Sequence, residues 1–286
     1  MKLQIQHLTE YKYDNPVFLG IHLLFLIPQN RLYFDVLKQD LVVHPKPEGN
    51  HVRMDLSGNF YTQVWFLDMS EKLQIQSELV LKVKEFNPFS FLIDEQFLQS
   101  VANKTYPKFS YLGLEKELAN YYLVDTGDKM MLDFVMEYWR GPEDVIGFLF
   151  RITAAIHSQW DHLIRHEMDI WEPAYTFSEK KGSCRDLAYM QMSLLGSIGL
   201  ATRFISGYAF NPNLKDGHEL HAWLEVYLPG GGWVGLDPSL GLLTDHRYVP
   251  LACHAKPELA SPVQGSFNGE GNSTLHTEVQ ISQILD

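Results

Sequence analysis

From Lys2 to about residue 85, apolar and polar positions alternate with a period of two. KLQIQH, FLGIHLLFLIP, DLVVHPKP, FYTQVWFL and KLQIQSELVLKV each place their apolar side chains on one face of a strand. SGN at 57–59 separates VRMDL from FYTQVWF as a tight hairpin turn would. The pattern predicts an all-β, sandwich-like domain over residues 1–86. NPF at 87–89 breaks the alternation, and helical spacing near 94–102, 114–121, 128–139 and 142–159 makes residues 87–140 a helical linker region. A helix starting near Ser183 and strands near 201–210, 221–228 and 232–237 give residues 141–255 an α+β character. Residues 256–286 read as a C-terminal tail in which TLHTEVQIS, at 274–282, alternates again as a final strand.

The helix near Ser183 carries its own punctuation. Ser183 followed by Asp186 is the acidic form of a capping box, which makes Cys184 the first helical residue. Leu187, Ala188, Gln191, Leu194, Leu195 and Ile198 recur at helical spacing, and Gly199 stands where a terminating glycine belongs. Cys184 has two readings at this point: a small buried hydrophobe, or a thiol whose ionised form is stabilised by the helix N-terminus. The Asp186 carboxylate opposes the second.

Composition narrows the function. The 286 residues hold 23 Lys and Arg against 35 Asp and Glu, a net charge of −12, which argues against nucleic acid or an anionic membrane as the partner. MKLQIQHLTEYKYD lacks the apolar core of a secretory signal. The longest apolar stretch, residues 17–27, is interrupted by His22 and falls short of the roughly 20 residues a spanning helix needs. A cytoplasmic location is expected, with both cysteines reduced.

HAWLEVYLPGGGWVGLDPS, at 221–239, supplies partners for a thiol. Two alternating runs flank a Pro-Gly cluster, a hairpin signal. The tight loop Leu228-Pro229-Gly230 would set His221 directly opposite Asp237, close enough for an imidazole–carboxylate bond. A loop of Pro229 through Gly232 would set Asp237 opposite Leu224, about 10 Å along the strand from His221. In the first register Trp223 and Trp233 share the His221–Asp237 face, as a shield for an ion pair or as core aromatics. His162 and His166 share a helical spacing but lack the glutamate of a zincin, so they read as a satisfied or solvated pair. His218 could join Cys184 in a zinc set, but the close-spaced paired ligands of structural zinc sites are missing. No metal and no cofactor are expected, and Cys253 carries no signal of its own.

Together GSCRDLA at 182–188, LATRFISGY at 200–208, HAW at 221–223 and GWVGLDPS at 232–239 resemble the transglutaminase-like superfamily of papain-type cysteine enzymes. YKYDNPV at 11–17, LIP at 26–28, LVVHPKP at 41–47 and MDLSGNF at 54–60 resemble the β-domain that precedes this core in bacterial members. The resemblance implies an α+β, papain-like transglutaminase core behind an all-β sandwich-like domain. It implies Cys184 as nucleophile, His221 as general base and Asp237 as the residue orienting His221. The backbone N–H of Cys184 would be one oxyanion donor, with Trp160 or Trp171 as upstream sources of a second. The family includes peptide and amide hydrolases, acyl-transferring transglutaminases and inactive binding proteins. Neither the acidic repeats of animal-type calcium sites nor their extra β-domains are recognisable, so a cysteine peptidase or amidase acting on a peptide or protein substrate is expected. A transglutaminase and a non-catalytic peptide-binding module are the alternatives, and the oligomeric state is open.

Overall fold

The computed structural model describes every residue except 102–105, 125–126, 166, 168, 214–217 and 285–286, and the side chain of Glu143. Six strands come first: β1 (Lys2–Leu19), β2 (His22–Leu24), β3 (Phe34–His44), β4 (Gly49–Met54), β5 (Phe60–Trp65) and β6 (Met69–Val83). Four helices follow: α1 (Glu95–Gln99), α2 (Gly113–Asn120), α3 (Lys129–Tyr138) and α4 (Val145–Gln159). The remaining chain runs β7 (Asp161–His162), α5 (Pro173–Glu179), β8 (Lys181–Gly182), α6 (Cys184–Gly196), β9 (Thr202–Ala209), β10 (Leu220–Leu228), β11 (Gly232–Asp237), β12 (Leu242–Leu243) and β13 (Tyr248–His254). It closes with β14 (Val263–Gln264), β15 (Phe267–Asn268) and β16 (Ser273–Ile284). The expected α+β class, with a β-rich N-terminal region ahead of a core of mixed helices and strands, describes this fold.

One N-terminal sheet has the order β15-β1-β6-β3, with β16 also lying along β1, and the other has the order β14-β2-β5-β4. Alternation along β1 and β6 sends Leu3, Ile5, Leu73, Ile75, Leu79 and Leu81 to one inner face. The tail is therefore part of this domain's sheets. β16 pairs antiparallel with β1 from Lys2↔Ile284 to Tyr13↔Ser273, while β14 and β15 pair with β2 and β1. Alternation showed a strand over 274–282, but pairing across more than 250 intervening residues leaves no mark in a local pattern.

The core sheet has the order β12-β11-β10-β9-β13, and α6 packs against β9 and β10. Residues Leu187 through Gly196 of α6 are buried except Tyr189, as a helix apolar on nearly all sides should be. Gly196 lets the Val124 backbone approach where a Cβ would meet its carbonyl at 1.8 Å. Gly199, at φ +83°, ends the turn after α6.

The two cores meet at β9 and β13, where Tyr208, Val249 and Leu251, with Phe210 just after β9, pack into the N-terminal cluster. Cys253 belongs to this seam. Gln29 Nε2 donates to its Sγ at 3.0 Å, and Asn59 exchanges bonds with its backbone at 2.8 and 2.9 Å. No helix among the described residues is long and apolar enough to cross a membrane.

If β16 completes the N-terminal core, Ile281→Ala should destabilise the protein by about 2–5 kcal/mol, the usual cost of emptying a packed aliphatic site. Urea unfolding measures this. A loss near zero would make β16 an ornament.

Candidate active site

Cys184 is half-buried at the first position of α6, where the amides of the first turn have no helical partners. Asp186, fully buried, organises this end. Its Oδ2 accepts from the Ser183 N–H at 2.8 Å and the Ser183 hydroxyl at 2.7 Å. Arg165 Nη1 donates to both of its oxygens at 2.9 Å, and the Trp171 N–H donates to Oδ1 at 2.8 Å. Arg165 thus neutralises the carboxylate that, from sequence, opposed a thiolate at Cys184. Arg185 adds a bond to the Glu167 carbonyl at 2.8 Å, so the segment after β7 is tied to the cysteine helix from two sides.

His162 reaches the thiol through local pairing. β7 and β8 pair in parallel, His162 opposite Gly182, and the Leu163 N–H donates to the Gly182 carbonyl at 2.9 Å. The His162 ring then lines the same groove as Cys184, near enough to lower its thiol pKa. The solvated-pair reading of His162 and His166 therefore missed a site residue, and His166 lies outside the described residues. Lack of a metal spacing was the wrong criterion, since the contact depends on β7 lying beside β8.

The β10–β11 hairpin adopts neither register expected from sequence. Leu224 pairs with Leu236 and Leu228 with Gly232, leaving Pro229-Gly230-Gly231 as the loop. Tertiary contacts select this turn. The Asp94 N–H donates to the Pro229 carbonyl at 2.8 Å, and Gly230, at φ +87°, lies where a Cβ would come within 2.3 Å of the Leu92 carbonyl. Continued by one pair, the register sets Asp237 opposite Trp223, with His221 as its diagonal neighbour on the same face. A shift by two residues from the tighter register preserves the face, so the two side chains still meet: His221 Nε2 donates to Asp237 Oδ2 at 2.7 Å. That leaves Nδ1 free of Asp237, and His221 and Cys184 are close enough for each to shift the other's ionisation.

Asp237 is fully buried, and its shell includes residues that sequence did not single out. The Tyr248 hydroxyl donates to Oδ2 at 2.7 Å. Oδ1 accepts from the Ser239 hydroxyl at 2.6 Å, the Ser239 N–H at 3.0 Å and the Leu240 N–H at 3.2 Å. The bond from Ser239 N–H is an Asx turn, which the Asp-Pro-Ser string could have signalled. Tyr248, arriving from β13, had no such signal. Of the tryptophans on this face, Trp223 lies under His221 with ring centroids 6.2 Å apart, whereas Trp233 sits at the far end beneath Arg203.

The electrostatics follow from these contacts. Burial would push the Cys184 thiol up, but hydrogen bonds from His162 and His221, the His221 charge and the Ala222 N–H lower it to about 6. Burial alone would lower His221, and the Asp237 charge and bond, with Cys184, instead raise it well above the ordinary imidazole value. Burial would raise Asp237, but the His221 charge and bond and the Ser239 and Tyr248 bonds hold it below the ordinary carboxylate value. Cys253 moves oppositely to Cys184, its thiol raised mainly by burial.

These groups open on a groove of about 1020 Å³ that holds Cys184, His162 and His221. Its lining includes Leu163, Ile164 and Ile170 and residues of β1 and β16. Asp169, Glu172, Glu219 and Glu258 line it as well. Neither tryptophan considered as an oxyanion donor presents itself there. The Trp160 indole N–H donates to the Thr176 carbonyl at 3.0 Å, and the Trp171 ring lies against the Arg165 guanidinium, 4.2 Å from its centroid. Among the described residues no group of three His, Cys, Asp or Glu is disposed to hold a metal ion. His218, considered as a zinc partner of Cys184, is stacked on Phe210 in the groove wall.

Comparison with known proteins agrees with this organisation. Residues 3–82 match the bacterial transglutaminase-like N-terminal region, and residues 133–238 match the transglutaminase-like superfamily. Uncharacterized proteins of Mycobacterium tuberculosis and Mycobacterium bovis are each 23% identical over 98% of this chain and 92% of theirs. The crystal structure of a candidate cysteine protease from Cytophaga hutchinsonii superposes with a TM-score of 0.71 at 19% identity, covering 100% of this chain and 92% of that one, so the fold is shared end to end. With both regions matched in order and the same architecture along the whole chain, this protein belongs to the transglutaminase-like superfamily.

Proposed function

We propose that this protein is a cysteine peptidase or amidase working through a Cys184–His221–Asp237 triad and a thioester acyl-enzyme. One observation carries the reading: His221 Nε2 donates to the buried Asp237 at 2.7 Å, and the same histidine acts on the thiol at the N-terminus of α6 strongly enough to lower its pKa. In this arrangement the thiolate of Cys184 attacks a substrate carbonyl. The C–S bond forms, the C–N bond breaks, and His221 passes its proton to the leaving amine. Water, deprotonated by His221, then attacks the thioester and releases the acid and the free thiol. Asp237 holds the His221 tautomer and stabilises the imidazolium. The Cys184 N–H is one oxyanion donor, and the His162 ring, which lines the groove with Cys184, is the second.

The exposed His162 and half-buried Cys184 leave the thioester open to water, which favours hydrolysis. A second reading has its own support. Carboxylates along the groove attract a cationic amine, the acyl acceptor of a transglutaminase. A peptide or protein is the substrate in both readings. An intact triad argues against a purely binding role, and no helix among the described residues is long and apolar enough to cross a membrane.

The founding experiment is digestion of a degenerate acetyl-hexapeptide-amide library, read by mass spectrometry. Cleavage by the wild type and none by Cys184→Ala supports the reading, and equal cleavage by both contradicts it. Turnover of the best peptide should rise with pH through about 6, as Cys184 ionises, and fall at a pH well above 6.5, as His221 loses its proton. A profile whose acid limb lay near the pKa of an unperturbed thiol would contradict the ion pair.

His162→Ala should lower kcat by about 10²–10³-fold, the usual cost of one oxyanion donor, with a smaller change in KM. His162→Gln should recover part of it. An unchanged kcat in His162→Ala would remove this role.

Hydrolysis and transfer separate by partitioning. With millimolar primary amine present, most product from a cleaved peptide should remain free acid. Amide as the main product would make the protein a transglutaminase in activity.

A further inference from the structure

Two buried histidines stand in the wall that the N-terminal domain and the core build together, and the fold treats them differently. His7, on β1, is satisfied at both nitrogens: Nδ1 with the Tyr208 hydroxyl at 2.8 Å and Nε2 with the Thr9 hydroxyl at 3.0 Å. His218 is 5% exposed, yet both of its ring nitrogens lack a hydrogen-bond partner. Its position is fixed. The ring stacks on Phe210 with centroids 6.0 Å apart and planes 17° from parallel, and its backbone bridges to Val279 of β16. Buried polar groups left unpaired by the protein are few, and one that lines a groove is a candidate for a partner that enters it.

His218 lines the same groove as Cys184 and His221, three residues before the latter. A neutral imidazole offers one N–H donor and one acceptor nitrogen. A peptide amide offers the complement, a carbonyl and an N–H. We infer that His218 is a substrate-binding residue that hydrogen-bonds an amide group of the bound polypeptide, in a subsite completed by the N-terminal domain and the returning strand β16. The inference rests on the peptidase reading above and adds a recognition site to it. It also gives the domain seam a use. Thr9 and Tyr11 of β1 and Thr277 of β16 line the groove beside it, so a bound chain lies against both domains.

The test compares His218→Phe, which keeps an aromatic ring on Phe210 and removes both nitrogens, with His218→Gln, which keeps a donor and an acceptor. The probe is the hexapeptide amide that the wild type cleaves best. His218→Phe should raise KM about tenfold, the worth of one lost hydrogen bond, with kcat little changed. His218→Gln should stay within a few-fold of the wild type. Alkylation of Cys184 by iodoacetamide, which carries no polypeptide chain for the subsite to hold, should proceed at the same rate in all three proteins. Thermal unfolding should show His218→Phe at least as stable as the wild type, because an unpaired buried group has been removed. An unchanged KM in His218→Phe would overturn the subsite and leave His218 a structural residue. Slow alkylation of Cys184 in the wild type itself would instead overturn the peptidase reading, and the subsite with it.

Discussion

A fully buried carboxylate is the constraint on which this site depends. Placing an ionised aspartate out of water is expensive unless hydrogen bonds and an opposite charge replace the lost solvent. Asp237 has both, and each donor comes from a different part of the fold. His221 arrives on β10, Tyr248 on β13, and Ser239 and Leu240 on the turn that follows β11. The carboxylate cannot move without abandoning several of them. Nε2 of His221 is therefore held at a defined place, and the ring is fixed in the groove it shares with Cys184.

A second buried carboxylate, Asp186, works on the other side of the thiol in a different way. Its counter-charge is the permanent cation Arg165, whereas that of Asp237 is a titratable imidazole. Asp186 consequently builds: it caps α6 and fastens the segment between β7 and α5. Asp237 polarises: it keeps a proton on His221, and through His221 a negative charge on sulfur. The helix N-terminus favours the same charge from the backbone. Two carboxylates close to one thiolate are compatible because each is neutralised by its own partner.

Much of this was legible in the chain. The period-two runs of residues 1–85 became strands, and the Ser183–Asp186 spacing marked the start of α6 because a cap is a local interaction. Of the two registers open from sequence, only the tighter put His221 and Asp237 on a common face, and the observed register shares its parity. The register itself was not readable. It depends on how the segment around Leu92 and Asp94 holds the Pro229 turn, which no local pattern encodes. His162, Tyr248 and Arg165 escaped for the same reason, each meeting the site across chain-distant packing or a short strand pair. The final strand was visible, yet its place beside β1 was not, and that placement lets the tail and the N-terminal domain wall the groove.

The central claim is that Cys184 is a thiolate paired with protonated His221 near neutral pH. The most direct measurement is a pH titration of thiolate absorbance in the ultraviolet, taken as wild type minus Cys184→Ala, which removes the tyrosine and Cys253 contributions. An ion pair predicts one thiolate appearing with a midpoint near 6, moving up toward the ordinary thiol value of about 8.5 in His221→Ala. A wild-type midpoint already at that ordinary value, unmoved by His221→Ala, would contradict it.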